Sequence, residues 1–219
     1  MTNNIYRDQR NSSAIPDVVF ALLIANGLVY ALQWMFPNIV ERWFVLYSLN
    51  FELYYPGIGK FWPWQLLSYG FLHSRESLYH LLFNMFALWM FGREMEHVMG
   101  SRRFLVFWLV CIIGAGLVQV LVSVVTGQPS ATLGASGGVF GLLLAFAMAF
   151  PNRIIVLLIP PIPMKAKYFV LIYGLITLYL GFNGGVGGGG TNIAHFAHLG
   201  GMLFGYLLIR YWSSQRSRR

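Results

Sequence analysis

The chain has 219 residues, 57% of them hydrophobic and only 10% charged, with a mean hydropathy of +0.61. A soluble globular domain carries about 25% charged residues, so water is excluded as the main solvent, and the apolar runs follow one another too closely for a separate globular unit. The net charge of +8 comes from short basic clusters between those runs, which fits membrane topology and argues against nucleic acid as a partner.

A helix needs about 20 mostly apolar residues to cross the hydrocarbon core. Six segments are predicted to do so: residues 18–36, 78–98, 104–125, 136–150, 168–182 and 192–212. The expected fold class is therefore an all-α polytopic membrane protein: a short tail over 1–17, a six-helix membrane domain over 18–212 and a basic tail over 213–219. The polar start of the chain and the absence of an A-x-A pattern predict that the first helix is retained rather than cleaved.

The connection over 37–79 is the longest and holds Trp43, Trp62 and Trp64, so it is expected to lie against the outer leaflet. On the second span, His80 and Asn84 stand at i and i+4 and project from one face. They read either as an oxyanion hole or as an interhelical polar clamp. Cys111 is the only cysteine and sits inside the third apolar run, which predicts a buried structural thiol and no disulfide.

The fourth span opens with Gly134-Ala135-Ser136-Gly137-Gly138-Val139-Phe140-Gly141. It places a hydroxyl at a helix N-terminus, where free N–H groups and the dipole favour an oxyanion. A capping serine in a glycine-rich packing motif is the plainer alternative. The fourth and fifth spans are short, so they must begin inside protein or in thinned bilayer. The apolar run 154–163 ends in Pro160-Pro161-Ile162-Pro163, cannot span, and is expected to be an interfacial loop. The Gly-rich stretch 181–192 is expected to be mobile.

The last span carries His195 and His198 in an apolar setting, where ionisable residues are functional by default. His198, Gly201 and Gly205 share a face that could approach Gly137 and Gly141 closely. A serine and a histidine on adjoining helices form a nucleophile and base pair, although geometry leaves His195 and His198 equally eligible. No acidic residue follows Glu96, so a carboxylate to orient the histidine is missing from the late helices. A ring such as Phe140, one turn after Ser136, could hold the imidazole instead.

If both termini are cytoplasmic, twelve of the 15 lysines and arginines lie inside, and only Arg42, Lys60 and Arg75 lie outside. The chain is accordingly expected to be a multi-pass protein of a prokaryotic cytoplasmic membrane.

Three motifs in order, His80-x-x-x-Asn84, Gly134-x-Ser136-Gly137 and Ala197-His198-x-x-Gly201-x-x-x-Gly205, resemble those of the rhomboid family of intramembrane serine proteases. The resemblance spans nearly the whole membrane domain and implies a six-helix rhomboid bundle. It also implies a Ser136 nucleophile, His198 rather than His195 as general base and acid, and an oxyanion hole from His80, Asn84 and backbone amides. Phe140 matches the aromatic that rests on the histidine, Gly134 belongs to the nucleophile motif, and the Gly-rich stretch matches a cap. The implied partners are transmembrane protein substrates in a lipid bilayer, cleaved near the outer surface, with no metal or cofactor. Trp64-Gln65 departs from the Trp-Arg that bacterial members often show. The rivals are a catalytically silent rhomboid-like binder of transmembrane clients and a histidine-lined carrier built on His73, His80, His195 and His198.

Overall fold

The computed structural model describes residues 15–156, 161–183 and 195–216. Most of the expected mobile stretch 181–192, the start of the sixth expected span and parts of both tails lie outside the described residues.

Over the described residues, each of the six apolar segments is helical. The first helix, α1 (Asp17–Met35), buries Val19, Leu22, Asn26 and Gln33 along one stripe. Its remaining faces are also apolar, and Phe20 is 53% and Leu28 62% exposed. A water-facing helix would place polar residues there, so the outer surface is suited to lipid. At its start, the buried Glu96 carboxylate accepts from the Val18 and Val19 N–H groups at 3.2 and 2.9 Å and from Ser101 Oγ at 2.6 Å. This places an anion on the positive end of the helix and satisfies donors that have no partner within it.

The long first connection is ordered into α2 (Pro37–Phe44), β1 (Leu46–Tyr47), α3 (Phe51–Tyr54), α4 (Gln65–Ser68) and a 3₁₀ turn at Tyr69–Phe71. Gln65, fully buried, holds it together. Its Oε1 accepts from the Tyr47 and Trp62 N–H groups, and its Nε2 donates to the Lys60 carbonyl at 3.0 Å. Strand β1 pairs antiparallel with β2 (Ala131–Thr132), Leu46 opposite Thr132, so the first connection grips the segment entering the fourth apolar helix.

The second apolar segment runs as α5 (Leu78–Ala87), a π turn at Leu88–Gly92 and α6 (Arg93–Met99). α7 (Ser101–Thr126) is the longest helix described, and α8 (Ser136–Ala149) is buried along most of its length. α9 (Ala166–Asn183) and α10 (His195–Arg216) follow, with α10 packed chiefly against α7 and α8. Among the described residues, α1 and α7 are long and apolar enough to cross a membrane, while α8 and α9 are shorter apolar helices.

Two short ribbons correct the all-α expectation: β1 with β2, and β3 (Ile154–Val156) with β4 (Pro163–Lys165). The second falls in the run expected to be an irregular interfacial loop. Backbone groups in these connections need partners once water is scarce, and a two- or three-residue pairing supplies them without leaving a readable alternation.

Candidate active site

Three elements converge on Ser136. The approach to α8 turns at Gly134, whose φ of +127° suits glycine, and whose N–H donates to the Tyr69 carbonyl at 2.9 Å. Tyr69 is itself fixed by donation from its hydroxyl to the Ile112 carbonyl of α7 at 2.8 Å. A Cβ at position 134 would lie 3.0 Å from His80 Nε2 and 3.7 Å from Ser136 Oγ. The missing side chain therefore leaves an opening between those two groups.

Ser136 begins α8, so N–H groups of the first helical turn point toward its end of the helix without intrahelical acceptors. From α10, His198 Nε2 lies 2.8 Å from Ser136 Oγ. Its ring stacks on Phe140 with centroids 4.1 Å apart and planes inclined by only 8°. Phe140 is backed in turn by Tyr173 of α9 at 5.3 Å.

The approach of α10 to α8 depends on Gly201. A Cβ there would collide with the Gly137 carbonyl, and one at Gly141 would meet the Gly201 carbonyl oxygen at 2.9 Å. Gly205 behaves differently: it faces Phe107 and Cys111 of α7, at 3.0 and 3.1 Å from its virtual Cβ, rather than the glycines of α8. Cys111 is buried at this three-helix junction.

His80, on α5, accepts at Nδ1 from the Ser74 N–H at 3.2 Å. This assigns the proton of the neutral ring to Nε2, the nitrogen that faces the opening above Gly134. Asn84 is buried and donates from Nδ2 to the His80 carbonyl at 2.7 Å, so one of its two amide protons is already engaged. His195 does not join the Ser136 contact, and its ring stands edge-on to His198 at 6.3 Å.

Two further neighbours adjoin the site: Gln33, which sequence reasoning did not single out, and His73, which it named only in the rival carrier reading. Gln33 of α1 exchanges two hydrogen bonds with the backbone of His73, at 2.9 and 3.0 Å. His73 lies fully buried with its ring 5.2 Å from that of His80. The signal available was a glutamine inside an apolar span, spaced seven residues from Asn26 on the same buried stripe.

The arrangement offers a hydroxyl in contact with an imidazole, a ring fixing that imidazole, and N–H donors from His80 and the first turn of α8 around one opening. Such a set can perform acyl transfer.

The family model of the rhomboid domain matches residues 60–215. Presenilin-associated rhomboid-like protein, mitochondrial, of Mus musculus is 28% identical over 200 residues, covering 88% of this chain and 48% of the relative. Rhomboid protein 1, mitochondrial, of Saccharomyces cerevisiae is 28% identical over 218 residues, 93% of this chain and 56% of the relative. Rhomboid protease GlpG of Yersinia pestis is 28% identical over 156 residues, 71% of this chain and 50% of the relative. The chain thus spans about half the length of the curated relatives it matches. With its family model matched from the first connection to the end of α10, the chain belongs to the rhomboid family.

Proposed function

We propose that this rhomboid is an intramembrane serine endopeptidase that cleaves transmembrane protein substrates near the outer membrane surface. The observation that carries the reading is the 2.8 Å contact between His198 Nε2 and Ser136 Oγ, with His198 lying parallel on Phe140. In the proposed reaction Ser136 Oγ attacks the substrate carbonyl as His198 Nε2 takes its proton. The tetrahedral oxyanion is held by His80 Nε2–H, the remaining Asn84 amide proton and N–H groups of the first turn of α8. His198 then returns the proton to the leaving amine, and water hydrolyses the acyl-enzyme by the same route in reverse. Stacking on Phe140 takes the orienting part that a carboxylate plays in a triad.

The proposed bundle crosses the membrane six times, through α1, the α5–α6 segment, α7, α8, α9 and α10, with both termini on the basic side. α8 has 14 residues, a rise of about 21 Å against a hydrocarbon thickness of about 30 Å. Ser136 at its start consequently sits below the outer surface, reached by water through the opening above Gly134. Mitochondrial members stand beside the bacterial one, so the expectation of a prokaryotic cytoplasmic membrane is withdrawn in favour of a multi-pass membrane location alone.

Activity-based labelling tests the nucleophile without requiring the natural substrate. A fluorophosphonate probe is expected to label the wild-type protein in mild detergent, to leave Ser136→Ala unlabelled and to label His198→Ala at least a hundredfold more slowly. Equal labelling of Ser136→Ala and wild type would place the reactive hydroxyl elsewhere.

A further inference from the structure

Two clefts in the first connection lie apart from Ser136 and share one wall, Trp43. The first is an open groove of about 530 Å³ lined by Trp43, Phe44, Trp64, Leu67, Ser68 and Phe71, a volume within the range of ligand sites, about 300–1,000 Å³. Its one polar side chain is occupied, because Ser68 Oγ donates to the Phe44 carbonyl at 3.0 Å. The second, of about 210 Å³, is lined by Arg42, Lys60, Glu52, Trp43, Trp62 and two glycines.

The groove has built walls. Trp64 Nε1 donates to the Trp43 carbonyl at 2.9 Å, joining α2 to α4. Trp43, Trp62 and Trp64 form a stacked trio, with the last two 4.9 Å apart.

Among the described residues, the cations of the small cleft lack a carboxylate partner. Of the three basic residues in the first connection, Arg75 is paired with Glu41 at 2.6 Å, whereas among the described residues neither Arg42 nor Lys60 has a carboxylate partner. Lys60 is held with its ammonium 4.8 Å from the centre of the Trp62 ring. Against these two cations stands the single carboxylate of Glu52, which leaves one net positive charge.

We infer that this pair of clefts is a seat for one anionic phospholipid: an acyl chain in the Trp43–Phe71 groove and a singly charged phosphodiester between Arg42 and Lys60. An amphiphile is the ligand that uses an apolar groove and a cationic pocket meeting at one tryptophan. A free phosphate would leave the groove empty, and an apolar helix would leave the cations unmatched. Glu52 disfavours a doubly charged phosphomonoester. The inference rests on the membrane placement proposed above but not on proteolysis. Occupancy would steady the connection whose β1 strand pairs with β2 just ahead of Ser136.

The test is lipid occupancy of the delipidated full chain in neutral detergent, measured by native mass spectrometry. Phosphatidylglycerol is titrated beside phosphatidylcholine and uncharged diacylglycerol of the same chains. The wild-type protein is expected to take up one phosphatidylglycerol in preference to both. Arg42→Gln with Lys60→Gln should weaken that binding about tenfold to thirtyfold, as two cation contacts at a membrane surface supply, and leave diacylglycerol unchanged. Leu67→Asp should weaken all three lipids. Arg102→Gln with Arg103→Gln, removing as many cations at the start of α7, should change nothing. No preference for phosphatidylglycerol, or an equal loss in the two arginine-bearing pairs, would overturn the seat. Retained lipid preference in a protein that labels with no fluorophosphonate would instead count against the protease reading alone.

Discussion

At the scale of single residues, the site relies on orientation by packing. A lone Ser–His contact leaves the imidazole free to rotate about two bonds, and the parallel Phe140 ring at 4.1 Å limits that freedom. An aromatic pair contributes about 0.5–1.5 kcal/mol beyond its area, so Phe140→Leu is expected to lower kcat about threefold to tenfold with KM little changed. A drop confined to KM would assign Phe140 to substrate binding instead. His73 carries a second prediction. Burial first, and the neighbouring His80 second, hold it down to about 3 from its ordinary value near 6.5. Neither ring nitrogen makes a well-formed hydrogen bond, though the Phe71 carbonyl lies close enough to favour the protonated ring slightly. The folded chain therefore keeps His73 neutral while the unfolded chain protonates it below about pH 6.5. Its contribution to stability is full above that pH and declines toward pH 3, by about 1.4 kcal/mol per unit. Unfolding midpoints of wild type should fall below those of His73→Leu as the pH drops from 6.5 to 4, and parallel profiles would contradict the assignment. The candidates Ser136, His198, His80 and Asn84 were legible in the sequence because polar groups in apolar runs are conspicuous. The anchoring part of Gln65 and the Gln33–His73 contact were not legible, because these bonds run to backbone atoms, several of them in distant segments, which no local pattern encodes.

At the scale of elements, α8 and α10 meet backbone to backbone. Any side chain at position 201 must displace the Gly137 carbonyl, one residue from the serine. Overpacking of this kind costs about 1–3 kcal/mol. Gly201→Ala is expected to lower the thermal midpoint in detergent and to slow Ser136 labelling, whereas Gly174→Ala on α9, whose virtual Cβ meets only Met202 at 3.5 Å, should do neither. Equal behaviour of the two variants would mean that the close approach is not needed. Helix positions were legible to within a few residues, since long apolar runs announce themselves. The π turn at Leu88–Gly92 was not, because the same residues satisfy either helical pattern. Nor were the ribbons, which are set by where the chain returns rather than by their own two or three residues. Gly205 was expected to serve the α8 contact and serves α7 instead, a rotation of the helix that spacing alone does not fix.

At the scale of the whole molecule, apolar side chains cover the outside as well as the core; Leu171 of α9 is 58% exposed and Leu121 of α7 61%. Buried polar groups are held inside by hydrogen bonds, Glu96 on the start of α1 and Gln65 within the first connection, while Asn84 and His73 lie near the start of α8. An apolar exterior of this kind suits a protein whose solvent is lipid. The measurement that bears most directly on the account is cleavage of a generic transmembrane substrate by the protein reconstituted in liposomes, beside Ser136→Ala and His198→Ala. Both variants should first be shown to keep the wild-type unfolding midpoint. The account predicts one cut near the outer end of the substrate helix, abolished in both variants. Cleavage that persists in folded Ser136→Ala would contradict it.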